Sequence, residues 1–196
     1  MTSGAIVTLA VEGLTDEAVM RRLLRDHRIE VALVVGLRGK AYLDQKLDAF
    51  NRAAQFGDWL VLRDLDQDAA CAPSFVRDRL PRASSGMHLR IVVRAIEAWL
   101  LADARGIADF FGVSRQHIPV DPSSLDDPKR ALIDVARRSR SRAIREDMVP
   151  DPRTTARVGP GFVARIIEFA YSAWHWERAA TQSESLRRCI ARLTRA

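Results

Sequence analysis

Two groups of carboxylates stand directly after β-like apolar runs. Glu12-Gly13 follows the run 5–11, and Asp64-Leu65-Asp66 follows the run 59–62, with Asp68 extending the row as Asp64-x-Asp66-x-Asp68. If the two runs are neighbouring strands of a parallel sheet, their ends share one rim and the acids converge. Such a group suits a hard cation: Mg²⁺ takes oxygen ligands, keeps several waters, and is usually held by one or two carboxylates together with substrate phosphates. Strand alternation turns Asp64 and Asp66 to the same side, provided that the strand continues through both. Gly13 permits a tight backbone turn beside a bound phosphate. Each acid taken singly reads as a solvated loop residue or a helix cap; the two groups after two strands are what points to a metal.

A third element of the same kind is Gly36-Leu37-Arg38-Gly39-Lys40, after the run 29–35. Its spacing is not that of a Walker A loop, and Ala41 stands where that motif needs Ser or Thr. Gly39-Lys40 at the start of a helix still offers backbone N–H groups, a positive dipole end and an ammonium to one phosphate. Lys40 is one of only 3 lysines beside 28 arginines. Other chemistry is poorly supplied. His27, His88, His117 and His175 lack metal-ligand spacing, there is no Gly-x-Ser-x-Gly, and Trp174-His175-Trp176 serves either base stacking or the core.

The elements that must position these residues form two regimes. Up to Arg94, short β-branched runs alternate with helical patterns, the signature of parallel βαβ units. Strands are predicted at 5–11, 29–35, 59–62 (ending at Arg63-Asp64) and 88–93. Thr15 is placed to cap a helix whose first turn carries Asp16 and Glu17. Leu43, Leu47, Phe50 and Ala54 form the apolar stripe of a second helix, and 73–80 forms a third. The expected fold is α/β, a four-stranded parallel sheet with flanking helices of Rossmann-like type, plus an α-helical C-terminal extension. After Arg94 the strand signal disappears. Gly112 closes one helix, Asp127-Pro128 opens another that runs through Arg138, and 137–145 (RRSRSRAIR) and 149–161 read as a basic hinge and a Pro/Gly-rich loop. The expected division is an α/β domain over 1–104 and a basic helical extension packed on it over 105–196.

Charge is also unevenly divided along the chain. The net charge of +6 hides 16 Lys/Arg against 18 Asp/Glu in residues 1–127 and 15 against 7 in 128–196. The slightly acidic part suits a cation and the strongly basic part an anionic partner such as nucleic acid. A 47% hydrophobic share excludes a disordered chain. No apolar run is long enough to span a bilayer, the opening Met1-Thr2-Ser3-Gly4 lacks the basic stretch expected of a secretory signal, and two distant cysteines, Cys71 and Cys189, argue against a disulfide framework. A reducing cytoplasm is the expected location.

Val11-Glu12-Gly13-Leu14-Thr15-Asp16-Glu17 after one strand, with Asp64-Leu65-Asp66 after a later one, resembles the TOPRIM domain, the catalytic module of topoisomerases, DnaG-type primases and OLD-family nucleases. The likeness is greatest to small bacterial TOPRIM-like proteins of the OLD and RloB type. In these a segment such as Ala95-Ile96-Glu97-Ala98-Trp99-Leu100-Leu101-Ala102-Asp103 follows the last strand of the fold. The TOPRIM likeness spans the first half of the chain; the helical tail, with Gly159-Pro160-Gly161-Phe162, is similar to the smaller family only.

The resemblance implies that Glu12 does general acid or base work and contacts metal, while Asp64 and Asp66 hold Mg²⁺ or Mn²⁺. Such a metal polarises a phosphoryl oxygen and activates water. A further acid for a second metal is expected from Glu97 or from Asp68; Glu97 reads equally as a first-turn acid stabilising its helix dipole. Lys40 is expected at the scissile phosphate, with Arg137, Arg138, Arg140 and Arg142 gripping the nucleic-acid backbone. The implied activity is metal-dependent phosphodiester hydrolysis on DNA or RNA, in phage defence or nucleic-acid processing. The resemblance further implies an ATPase partner, this chain having no ATPase motif of its own, and a homodimer is compatible with the pattern. The alternative is a non-catalytic TOPRIM-like adaptor or regulatory subunit that binds a protein partner.

Overall fold

A computed structural model describes residues 4–194. The chain divides into two compact units, Met1–Val93 with Ser185–Ala196, and Arg94–Glu184. The first unit is built in the order β1 (Ile6–Val11), α1 (Leu14–Asp26), β2 (Glu30–Gly36), α2 (Lys40–Ala53), β3 (Asp58–Asp64), α3 (Ala72–Arg79) and β4 (Met87–Val92). Its sheet is four-stranded and parallel throughout, in the order β2-β1-β3-β4. This is the α/β architecture that the alternating pattern predicts.

Strand alternation decides which helix covers which face. Ala10 pairs with Val61 across β1 and β3, and both point to the same side as Met87, Leu89 and Ile91 of β4. On that side they pack with Leu43, Leu47 and Phe50 of α2 and Phe75 of α3 in one buried cluster. Burying side chains of this size contributes roughly 1.5–3 kcal/mol each, and the stripe at Leu43, Leu47 and Phe50 is what commits α2 to this face. Leu60 and Leu62 of β3 take the opposite side, where α1 supplies Val19, Met20, Leu23 and Leu24, all fully buried. A right-handed crossover from β1 to β2, followed by one in the reverse direction from β2 to β3, requires helices on both faces.

The start of α1 corrects one expectation. Thr15 lies inside the first turn rather than at the cap; Gly13 precedes the helix, and its N–H donates to the Asp16 carboxylate at 3.0 Å. The cap is a side chain reaching back, not a hydroxyl reaching forward.

The second unit contains no strand among the described residues. It comprises α4 (Ile96–Leu101), α5 (Ala104–Phe111), α6 (Pro128–Arg137), α7 (Arg142–Met148), α8 (Phe162–Ser172) and α9 (Trp176–Gln182), with 3-10 turns at Arg115–His117 and Pro122–Ser124. Gly112 closes α5 in the left-handed region at φ 63°, and Asp127 accepts the Arg130 N–H at 2.8 Å to open α6. The basic hinge expected at 137–145 is largely helical instead: Arg137 ends α6, and α7 begins at Arg142 with Ser141 accepting the Ile144 N–H. The Ser141 cap, hidden in an Arg/Ser repeat, is what restarts the helix. Trp174 is 1% exposed and belongs to the core. The last helix, α10 (Glu184–Leu193), returns to the first unit from Ser185 onward. Both cysteines are free thiols, and no helix among the described residues is long and apolar enough to cross a membrane.

Candidate functional site at the carboxyl rim of the sheet

In a sheet ordered 2-1-3-4, the connection leaving β1 runs one way and the connection leaving β3 runs the other. A crevice therefore opens beyond their carboxyl ends, which is where ligands of open α/β sheets bind. Glu12 is the first residue after β1 and Asp64 the last of β3. The fold thus brings together the two acidic groups that the sequence separates by about fifty positions.

The two strand ends are bonded directly. The Asp64 N–H donates to Glu12 Oε1 at 2.9 Å. The loop 36–39 is tied to the same place, with the Leu37 N–H on the Val11 carbonyl at 2.9 Å and the Gly39 N–H on the Glu12 carbonyl at 3.0 Å. Gly36 is required here. Its φ is +96°, and a Cβ at this position would stand 2.2 Å from the Val11 carbonyl oxygen. Because the Gly39 N–H already serves Glu12, it is not offered to a phosphate as the sequence reading expected; what the loop delivers is Lys40, the first residue of α2.

Lys40 reaches across to the loop after β3. Its Nζ donates to Asp66 Oδ2 at 2.7 Å and to both oxygens of Asp68 at 3.2 Å. The expected alignment of Asp64 with Asp66 is corrected: β3 ends at Asp64, and Asp66 sits in the left-handed region at φ 47°. Asp tolerates that region better than most residues. The turn, not strand alternation, aims Asp66 at Lys40.

Beneath this pair lies Arg63, 2% exposed. As the residue two after Val61 it points to the α2 side of the sheet, where its Nε and Nη2 hold the Asp44 carboxylate at 3.1 and 3.0 Å. The same Nη2 reaches Asp68 Oδ2 at 2.5 Å, Nε stands 3.6 Å from Glu12 Oε1, and Nη1 bonds the Asp64 carbonyl. The guanidinium also lies 5.0 Å from the Phe75 ring centroid, a cation–π contact. Arg63 and Asp44 escaped the sequence reading. The signal was present: a cation at the inward position of an apolar strand must find a counter-charge, and Asp44 stands one helical turn after Lys40.

These charges set the protonation of the site. Burial raises the Glu12 carboxyl above its ordinary value, against the opposing pull of the Asp64 N–H and of Arg63. Asp68 is lowered by its Arg63 hydrogen bond and further by Lys40. Lys40 is raised by Asp66. Arg63 is raised as well: burial works against its charge, but Asp44 and Asp68 more than compensate.

The donor chemistry fits a hard divalent ion, because Glu12, Asp64, Asp66 and Asp68 supply only oxygen and outnumber the cations that reach them. Asp66 and Asp68 are nonetheless engaged by Lys40, and among the described residues no three His, Cys, Asp or Glu side chains are grouped so as to hold a metal. Glu97 belongs to the second unit, where its side chain is buried at the start of α4 and its Oε1 lies 3.3 Å from Lys129 Nζ. Of the proposed backbone-gripping arginines, all exposed, Arg137 pairs with Asp134 and Arg142 with Glu146 at 2.6 Å. Arg138 and Arg140 make no side-chain ion pair among the described residues. No family model, curated protein or solved structure matches this chain.

Proposed function

We propose that the rim between β1 and β3 performs metal-dependent phosphodiester hydrolysis on DNA or RNA. The observation that carries this reading is the bond from the Asp64 N–H to Glu12 Oε1 at the topological switch point, which fixes a half-buried carboxylate of raised pKa at the place where α/β sheets bind ligands. The TOPRIM resemblance of Glu12-Gly13 and Asp64-Leu65-Asp66 supports the same assignment.

The residues divide the work as follows. Glu12 Oε1 is held by the Asp64 N–H, which leaves Oε2 to take a proton from an attacking water. A carboxyl whose pKa lies above its usual range is better matched to that task near neutral pH. Asp64 and Asp66 would hold Mg²⁺ or Mn²⁺, which when bound supplies Lewis acidity at a phosphoryl oxygen. Lys40 places an ammonium beside the carboxylates, where it can meet a scissile phosphate in exchange for Asp66. Arg63 fixes Glu12 and Asp68 from below and keeps the rim from collapsing under carboxylate repulsion. The basic residues of 128–196, Arg138 and Arg140 among them, bind the phosphate backbone, so affinity falls steeply with salt. An ATPase partner and a role in phage defence or nucleic-acid processing belong to this reading through the resemblance.

One observation favours a second reading. Lys40 and Arg63 already pair with Asp44, Asp66 and Asp68, as a purely structural network in a non-catalytic adaptor would require. A cleavage assay separates the two. The chain and its Glu12→Gln variant are incubated with single- and double-stranded DNA and with tRNA in Mg²⁺ or Mn²⁺. Cleavage abolished by the variant is the expected result. Cleavage that the variant leaves unchanged removes the site, and the absence of both cleavage and Mn²⁺ binding favours the adaptor.

A further inference from the structure

The second unit carries a groove that the rim chemistry does not use. Its volume is about 690 Å³, within the range of small-ligand sites. Three guanidiniums line it, those of Arg105, Arg115 and Arg178, and the only acid in its lining is Asp103. That acid is fully committed. Its side chain is 0% exposed; Oδ1 accepts the Gly106 N–H at 3.0 Å and Arg178 Nε at 2.8 Å, and Oδ2 accepts the His175 N–H at 2.9 Å and Arg178 Nη2 at 3.0 Å. Gly106 makes the approach possible, since a Cβ there would lie 2.2 Å from Asp103 Oδ2.

The consequence is an oriented cation. Asp103 grips one edge of the Arg178 guanidinium and holds it in place, while Nη1 makes no bond among the described residues and the side chain stays 39% exposed. The Arg115 side chain, on the 3-10 turn, makes no hydrogen bond or ion pair among the described residues, and that of Arg105 has only Asp109 at 3.8 Å, both arginines being exposed. Positive charge is therefore in excess in the groove. The rest of its lining is largely apolar, through Leu101, Ile118, Pro119 and Val120, and Val120 is 93% exposed. A large apolar side chain left in water beside an uncompensated guanidinium suits a ligand that brings both an anion and an apolar body.

We propose that this groove binds a phosphate ester carrying a planar apolar group, which is the chemistry of a nucleotide, whether free or as one residue of a strand. Phosphate takes guanidinium forks bidentately and carries enough charge to engage more than one of them. The base would cover Ile118, Pro119 and Val120. Asp103 acts as a positioning residue for Arg178 and does not touch the ligand. The site stands apart from the rim reading and needs neither Glu12 nor a metal.

Calorimetric titration of the full chain in the absence of divalent metal tests it, with thymidine 5′-monophosphate, a 5′-phosphorylated tetrathymidylate, thymidine and inorganic phosphate as probes. The monophosphate is expected to bind, with thymidine and inorganic phosphate each about tenfold weaker or more. Arg115→Ser, on an exposed turn that does not hold the fold together, weakens binding of the monophosphate by about tenfold or more, and so does Arg178→Lys, which keeps the charge on Asp103 but loses the fork. Tighter binding of the tetranucleotide than of the monophosphate identifies a strand as the ligand; equal binding identifies a free nucleotide. Binding unchanged in Arg115→Ser, or no binding of either phosphate ester, overturns the site. The titration uses no divalent metal and the variants touch no rim residue, so a failure of the cleavage assay and a failure of this one are distinguishable.

Discussion

Arg63 and Asp44 form a two-pronged ion pair, with Nε and Nη2 at 3.1 and 3.0 Å from the two carboxylate oxygens, in the interior between β3 and α2. It joins the strand that ends in Asp64 to the helix that begins with Lys40, and so fixes the two sides of the rim with respect to each other.

Arg63→Met should destabilise the protein by about 3 kcal/mol, the usual cost of leaving a buried partner uncompensated. Pairing it with Asp44→Leu should restore part of that loss, since the orphaned carboxylate is then removed. Urea midpoints of the single and double variants measure both effects.

Lys40→Met should behave differently. The ammonium is 42% exposed and its partners Asp66 and Asp68 are 37% and 30% exposed, so its removal should shift stability by less than about 1 kcal/mol. If Lys40 meets the scissile phosphate, the single-turnover cleavage rate should fall by roughly a hundredfold or more. Thermal melting beside the rate assay tells an electrostatic role in the reaction from a structural one.

Glu97 makes stability depend on pH. Burial raises its carboxyl above the ordinary 4.5, with Lys129 pulling the other way. A carboxyl raised in the folded state favours the protonated form, so this contribution is fully present below 4.5 and is lost as pH climbs through the folded-state value. Glu97→Gln should therefore gain stability relative to the parent as pH rises from 4.5 toward neutrality, read as the difference in urea midpoint at each pH.

His88 acts in the opposite direction. It is 4% exposed, its Nδ1 accepts from Arg192 Nε and Nη2 at 3.2 Å each, and its Nε2 lies 3.4 Å from Asp58 Oδ1. Burial, and then the Arg192 charge, press the imidazole below its ordinary 6.5. Stability from this group is present above 6.5 and is lost as pH falls through the folded-state value. His88→Asn, which keeps an acceptor for Arg192, should flatten the acid limb, and hydrogen exchange of α10 amides should show the helix loosening first in the parent.

The strands and the α2 stripe were legible because they obey local rules. β-branched runs followed by Glu12-Gly13, Gly36 and Asp64 announce where each strand stops, and Leu43, Leu47 and Phe50 announce one buried face. Asp66 was misjudged because alternation assumes a continuing strand, whereas the chain leaves β3 at Asp64 and turns through a positive φ. Residues 137–145 were misjudged because Arg and Ser in sequence resemble a loop, and only the seating of Ile144 and Met148 in the core reveals the helix. In the sequence Asp103 is only the end of a motif; its role appears when Arg178, far along the chain, returns to it.

By itself the sequence determined an α/β first part, a helical remainder, and carboxylates at the ends of two strands, because periodicity and strand-ending residues are local properties. Only the tertiary structure decided that β1 and β3 are neighbours, that Glu12 accepts the Asp64 N–H, and that Lys40 and Arg63 are the cations those acids meet. Which charges share a low-dielectric space depends on strand order and on the face to which each side chain turns, and neither is written in the spacing along the chain.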